Sequence, residues 1–451
     1  MGLSYRGRAR SLLERAGASD YDLVLVSTDR GDYSGLLMPR PEILDDEHVV
    51  IKLKNGYNIG IHIRRIRSVK VLERGRPFSR RELPRVEPRE GLPSVPIVVT
   101  GGTIASRVEY STGAVKPTEK PEELIDLIPE ISELANISYI PLMSKLSEDM
   151  RPEDWGAIAE AVASELNRGA EGVVVAHGTD TMHYTASALA FMLRGLDRPV
   201  VLVGSQRSID RPSTDAVLNL AAAVKMAAEG PIAEVMIVMH SSPSDDFAYA
   251  IRGVKARKMH TSRRDAFIPV NELPLAFVNA SEIRIVNPNF RRRGGGSGRV
   301  KADVRVEPRV ALIYAWPGID SDFLEAVVSS GYRGLVLAGT GLGHTPNRII
   351  GAIGRIVRSG VPVVMTSQCL FGRVNLRVYS TGRRLLEAGV IPGGGMLPET
   401  ATVKLMVGLG RGLSGAELAD FMTSNVAGEL SDRISPASYP PCFRRLIGDG
   451  L

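Results

Sequence analysis

Thr100-Gly101-Gly102-Thr103-Ile104-Ala105-Ser106 and His177-Gly178-Thr179-Asp180-Thr181-Met182 decide how this chain is read. Each follows an apolar run with the character of a buried strand, Val95-Pro96-Ile97-Val98-Val99 before the first and Gly172-Val173-Val174-Val175-Ala176 before the second. Ligands of a parallel α/β sheet bind at the carboxyl ends of its strands, so both segments would bring threonine hydroxyls to one crevice. Gly101 and Gly102 suit a tight turn with close backbone approach. A threonine hydroxyl there becomes a nucleophile when a neighbouring base takes its proton.

Outward from these segments, strands alternate with helices. The pattern predicts a strand at 95–100, a helix near 120–134, a helix over 150–168, a strand at 172–176 and a helix over 181–194. A strand at 199–203, a helix near 213–228 and a strand at 233–239 follow. Such alternation implies a parallel sheet covered on both faces. A second α/β set begins with strands expected at 310–314, 334–338 and 361–365. Between the two sets, Arg291-Arg292-Arg293-Gly294-Gly295-Gly296-Ser297-Gly298 has the composition of a flexible basic linker.

The amino-terminal region reads differently. Short strands are expected at 21–26, 35–38, 49–54 and 57–63, after a helix over 2–18, and Asn55-Gly56 marks a hairpin. Close spacing of short strands predicts a small β-barrel over 1–72. Residues 73–94, with Arg74, Arg76, Arg80, Arg81 and four prolines, read as a polar linker. The expected organisation is therefore a barrel at 1–72, a linker at 73–94 and a catalytic α/β domain at 95–290. A basic linker at 291–308 and a second α/β domain at 309–451 complete it.

Composition narrows the function classes. The chain has 451 residues, 44% hydrophobic and 24% charged, ample for a large core. Two cysteines, Cys369 and Cys442, form no disulfide framework and have no metal-ligand spacing. No apolar leader or membrane-length stretch is read, so a reducing cytoplasm is the expected setting. Residues 1–90 carry 18 Lys and Arg against 13 Asp and Glu, nearly all of the net charge of +6. That asymmetry fits either a solvated surface or contact with an acidic partner such as RNA.

Amide hydrolysis by a threonine needs a hydroxyl, a proton acceptor, donors for the oxyanion and groups that hold the substrate's charged ends. Thr103 and Thr179 offer hydroxyls and Asp180 a carboxylate. A buried lysine could relay the proton, and Lys258 is the candidate because it follows the strand at 233–239. Bland roles suit the remaining residues. Thr100 is expected to hydrogen-bond its turn, Thr181 to cap a helix, His177 to be structural, and Cys369 to be a buried free thiol. His183, His240 and His260 have no diagnostic spacing.

These two segments, in this order, resemble the signatures of the bacterial-type L-asparaginase family. Tyr110-Ser111-Thr112-Gly113-Ala114-Val115 is similar to that family's active-site loop, and Ser147-Glu148-Asp149-Met150 to its substrate-carboxylate loop. Ser205-Gln206-Arg207, Thr366-Ser367-Gln368-Cys369, Tyr379, Gly382-Arg383 and Glu399 through Leu405 extend the resemblance over roughly 94–430. The resemblance implies Thr103 as nucleophile, Tyr110 as the lid that polarises it, and Thr179, Asp180 and Lys258 as a second hydrogen-bonded set. In that set threonine and lysine handle water and a proton, and Asp180 holds the substrate α-amino group. Ser147 would hold the α-carboxylate. Tyr314-Ala315-Trp316-Pro317-Gly318 departs from the family by lacking an asparagine found there in some members.

A basic β-barrel ahead of an asparaginase-like body, together with Arg257 through Phe267, resembles the glutaminase subunits of archaeal tRNA-dependent amidotransferases. This implies hydrolysis of glutamine, with ammonia passing to a partner, the amidotransferase E subunit, which amidates Glu-tRNA(Gln) using ATP and Mg²⁺. Glu-tRNA(Gln) would be held mainly by that partner, on a homodimeric core of this chain. The chain has no GxxxxGK[ST] phosphate loop, so ATP chemistry is expected on the partner and no cofactor on this chain, and with no Cys/His ligand spacing no metal is expected either. A free-standing L-asparaginase with an accessory domain and a non-catalytic RNA-binding protein are the competing expectations.

Overall fold

The computed structural model describes residues 3–40, 45–55, 57–75, 89–102, 131–209, 211, 213–295 and 298–439, with backbone alone for 106–109 and 114–117. Thr103 and Tyr110 lie outside the described residues, as do most of the polar linker and most of the helix expected near 120–134.

The amino-terminal unit is a helix, Gly7–Arg15, followed by five antiparallel strands. Across the sheet the order is 58–62, 48–52, 31–37, 23–28 and 66–73. Alternation puts Val24 and Val26 inward, where they pack with Ala9, Leu13, Leu37, Val49 and Ile51. The Tyr5 hydroxyl crosses this core, donating to Met38 O at 2.7 Å and accepting from Val50 N at 3.0 Å. Two details differ from expectation. The helix is shorter, and a fifth strand, Ile66–Glu73, occupies an edge. Its exposed Arg67, Ser68 and Lys70 leave too few apolar positions to show the alternation.

The body is built on an eight-stranded sheet in the order 283–285, 276–278, 248–252, 235–240, 200–203, 173–176, 94–101, 136–145. The five strands from 235–240 to 136–145 are parallel, and the other three add antiparallel. The central strands are buried at every position, as their unbroken valine runs require. Each such valine contributes about 1.5–3 kcal/mol by leaving water. Helices Pro152–Asn167 and Met182–Met192 cover one face, and Ala216–Glu229 covers the other. A second, four-stranded parallel sheet carries 310–314, 334–339, 363–367 and 391–392. Helix Pro398–Gly410 lies between the two sheets. Thr400 hydrogen-bonds Ser187 Oγ at 3.2 Å and donates to Val254 O at 3.0 Å.

The basic connection does not behave as a flexible linker in its described part. Arg293 N donates to Pro231 O at 2.8 Å, its guanidinium to Ala228 O at 2.7 Å, and it pairs with Glu171. Lys301–Ala302 pairs with Leu193–Arg194, and Asn167 grips both polar groups of Val300. The guanidinium is used as a donor to main-chain carbonyls at the end of helix 216–229, where unpaired carbonyls collect.

Candidate active site

Three turns converge at the carboxyl ends of neighbouring parallel strands. Gly101 and Gly102 end the strand 94–101 with φ of 114° and 81°, a region closed to most side chains. A Cβ on Gly102 would lie 2.3 Å from Gly178 N, and one on Gly178 would lie 2.8 Å from Ser147 Cβ. The glycines therefore allow main chain to touch main chain where the turns meet. Behind them, Thr100 Oγ1 donates to Ala176 O at 2.9 Å, tying the two strands together as a bonded structural threonine.

Lys258 ends the short strand Ala256–Lys258, which pairs with Phe267–Pro269 in a hairpin. Its Nζ donates to Thr179 Oγ1 at 2.8 Å and to Asp180 Oδ1 at 2.7 Å. The lysine side chain is 9% exposed and the Asp180 side chain 64%, so the ion pair reaches from a covered stem to an open rim. Ser147 is buried, and its Oγ accepts from Asp180 N at 3.2 Å. The structure thus brings Thr179, Asp180, Ser147 and Lys258 together. Thr103 and Tyr110 cannot be placed with them, because both are outside the described residues.

Several neighbours take roles that sequence patterns only partly foreshadow. Thr181 stands at the amino end of helix 182–192, yet its hydroxyl makes no cap bond. It donates instead to Ser147 O at 2.6 Å, locking the carboxylate loop to the Thr179 turn. His177 is fully buried, bonded to Gly178 O at 2.7 Å and Thr185 Oγ1 at 2.9 Å, and burial pushes its ring down to about 4. His183 is likewise pushed down, to about 3, by burial and then by the nearby Arg257 and Lys258 charges. Arg257 pairs with Glu399 of helix 398–410, anchoring the Lys258 hairpin to the second half of the body. Only the Glu399 motif hinted at this, and without its partner. Cys369 is free but exposed, not buried, because it follows strand 363–367 into an open turn.

Among the described residues, no group of three His, Cys, Asp or Glu is placed to hold a metal ion, and no helix is long and apolar enough to cross a membrane. A lysine ammonium held between a hydroxyl and a carboxylate can orient a polar substrate and move a proton. Set on this α/β sheet, that arrangement suits an amidohydrolase, and the family matches place the chain in the asparaginase class. The chain matches the family descriptions Asparaginase, N-terminal over residues 94–291 and Glutaminase/Asparaginase C-terminal domain over 309–422. It matches GatD N-terminal domain over 18–72.

The chain belongs to the family of glutamyl-tRNA(Gln) amidotransferase D subunits. It is 52% identical to the D subunit of Thermococcus kodakarensis over 425 residues, covering 93% of this chain and 96% of that one. It is 50% identical to the D subunit of Methanothermobacter thermautotrophicus over 439 residues, covering 97% and 100%. Among solved structures, the thermostable L-asparaginase from Thermococcus kodakarensis aligns with a TM-score of 0.67 at 32% identity, covering 75% of this chain and all of that one. L-asparaginase I from Vibrio cholerae aligns with the same TM-score at 30% identity, covering 76% and 100%.

Proposed function

We propose that this chain is the glutamine-hydrolysing subunit of a tRNA-dependent amidotransferase. The observation that carries the reading is the Lys258–Thr179–Asp180 contact, set in a chain that D-subunit relatives match over nearly its whole length. The Thr103 hydroxyl attacks the side-chain amide carbon, the C–N bond breaks, and ammonia leaves with the proton it gains. Water then cleaves the threonine ester to give glutamate and free Thr103. Tyr110 covers and polarises Thr103. Asp180 holds the substrate α-ammonium and Ser147 its α-carboxylate, while Thr179 and Lys258 orient the water and carry its proton. Ammonia passes to a second protein, the amidotransferase E subunit, which uses ATP and Mg²⁺ to convert Glu-tRNA(Gln) to Gln-tRNA(Gln). A homodimer of this chain forms the core of the complex, in the cytoplasm.

The test pairs this chain with the E subunit and measures glutamine-dependent formation of Gln-tRNA. Amidated tRNA with glutamine and ATP is the expected result, and its absence overturns the reading. A second reading, free-standing L-asparaginase, is favoured by the alignment of solved asparaginases to the body alone. It requires fast asparagine hydrolysis without a partner and unchanged activity after removal of residues 1–85.

A further inference from the structure

We propose that Tyr57 and Arg264 are positioning residues, through which the amino-terminal β unit holds the Lys258 hairpin in register with Thr179 and Asp180. The inference rests on the catalytic reading of Lys258 and adds a physical link between that residue and the accessory unit.

The link begins at the hairpin tip of the amino-terminal sheet. Tyr57 Oη lies 2.8 Å from Ser213 Oγ, joining residues 156 apart in sequence. Ser213 has φ of 57°, a conformation that its β-carbon disfavours, so the surroundings must hold it there. Arg264 does so from the other side. Its Nε and Nη2 both donate to Ser213 O, at 3.1 and 2.5 Å. Its Nη1 donates to Pro243 O at 3.2 Å and to Asp245 Oδ1 at 2.8 Å. One planar guanidinium thus clamps two loops at once, which a lysine could not do.

Arg264 sits in the turn of the very hairpin whose first strand ends at Lys258. That turn is stiff. Met259 N donates to Ala266 O at 2.7 Å, and His260 Nδ1 accepts from Ser262 N and Arg263 N at 3.0 Å each. Arg263 grips Asp265 with two bonds of 2.7 Å. A shift of Arg264 therefore carries to Lys258 instead of being absorbed locally.

A second route runs from the exposed Asp245 into the buried His240 and Asn219. Asp245 Oδ1 also meets His240 Nε2 at 3.0 Å, and His240 Nδ1 meets Asn219 Oδ1 at 2.6 Å. Asn219 Nδ2 donates to Gly204 O at 3.0 Å. Gly204 lies so close to the Thr179 turn that a Cβ on it would be 2.8 Å from Thr179 Cγ2. Both the lysine and the threonine of the site are thus tied to the Arg264 clamp.

The experiment uses the full chain in complex with its amidating partner, comparing wild type with Tyr57→Phe, Arg264→Met and Arg264→Lys. Glutamine hydrolysis is resolved into kcat and KM, and backbone hydrogen exchange is followed over 256–269. Arg264→Met should lower kcat about 10- to 100-fold with KM changed less than about threefold, the scale expected when a reacting group is misplaced by about an ångström. Tyr57→Phe should lower kcat about threefold, and the double variant should fall short of the product of the two effects, as for residues sharing a partner. Arg264→Lys should recover part of the loss through Asp245. Exchange over 256–269 should rise in Arg264→Met and Tyr57→Phe. Unchanged kcat and unchanged exchange in both overturn the proposal, as does a loss of kcat seen only with a collapse of the thermal midpoint. A wild type that releases no ammonia from glutamine strikes the glutaminase reading instead, and the exchange measurement then decides the positioning role alone.

Discussion

The two sheets of the body both end their parallel strands in small polar residues, yet they use them in opposite ways. In the eight-stranded sheet, Thr179 and Asp180 turn outward to a lysine delivered from a separate hairpin. In the four-stranded sheet, the polar side chains are consumed by main chain. Ser367 Oγ donates to Gly341 O at 2.6 Å, Thr366 Oγ1 to Leu337 O at 3.3 Å, and Gln368 Nε2 to Ala338 O at 2.9 Å. A hydroxyl at a strand end is therefore not in itself a site. What separates the two is a charged group brought from elsewhere in the chain, together with polar atoms left unbound by their own backbone.

Four substitutions and conditions would break or sharpen that contrast. The largest effect is expected at the lysine: Lys258→Met should lower kcat/KM about 10²- to 10⁴-fold, the usual range for loss of a positioned acid or base. A folded Lys258→Met protein with wild-type turnover would erase the distinction between the sheets. Next, Lys404 and Glu429, both fully buried and 2.5 Å apart, support the helix packed on the four-stranded sheet. Glu429→Gln should destabilise by about 3–5 kcal/mol, because a buried ammonium loses its counter-charge. Urea denaturation checks this, and a midpoint near wild type would show the pair to be dispensable.

The third is acidification. His177 and His183 fold neutral, with rings pushed down by burial to about 4 and about 3. The unfolded chain protonates them below about 6.5, so their contribution is complete above that pH and falls as pH drops toward 4, by about 2 kcal/mol each at pH 5. Glu272 opposes them. Burial pushes its carboxyl up to about 7, so its contribution is largest in acid and is lost as pH rises from about 4.5 to 7. Two rings outweigh one carboxyl, and the urea midpoint should fall between pH 7 and pH 5. In Glu272→Gln the fall should be steeper, and an equal or shallower fall would reject this balance. The smallest effect is expected in the second sheet. Gln368→Ala should cost about 1–2 kcal/mol in stability with kcat/KM within about twofold, because its amide donates to the main chain of both Ala315 and Ala338. Loss of activity out of proportion to stability would give the second sheet a part in the chemistry.

The sequence revealed the elements whose burial is complete. Runs such as Val173-Val174-Val175-Ala176 and Val200-Val201-Leu202-Val203 are apolar throughout because both faces are covered. Strand Asn136–Lys145 escaped because it is an edge strand with every position partly exposed, which blurs any period. Strands 248–252, 276–278 and 283–285 escaped because they extend the sheet antiparallel, without intervening helices to punctuate them. At the site, Thr179 and Asp180 were readable as one contiguous motif and Lys258 from its place after the strand at 233–239, whereas Ser147 was named through family resemblance. The hydroxyl of Thr181 on Ser147 O, the Arg257–Glu399 pair and the Arg264 clamp could not be read, because each joins residues distant in sequence. The exposed Cys369 and the docked Arg293 correct expectations built on composition, which carries no information about where a side chain finds its partner.

The main-chain contact between Gly102 and Gly178 has a consequence for how this protein can vary. A methyl group on Gly102 would strike the Gly178 backbone, and one on Gly178 would strike Ser147. Three turns from three parts of the gene are thereby fitted to one another as a single interlocked piece. A library that randomises position 102 while the other two turns are held constant should return glycine. New specificity would have to be sought by altering all three together, or at the open rim around Asp180, where the packing leaves room.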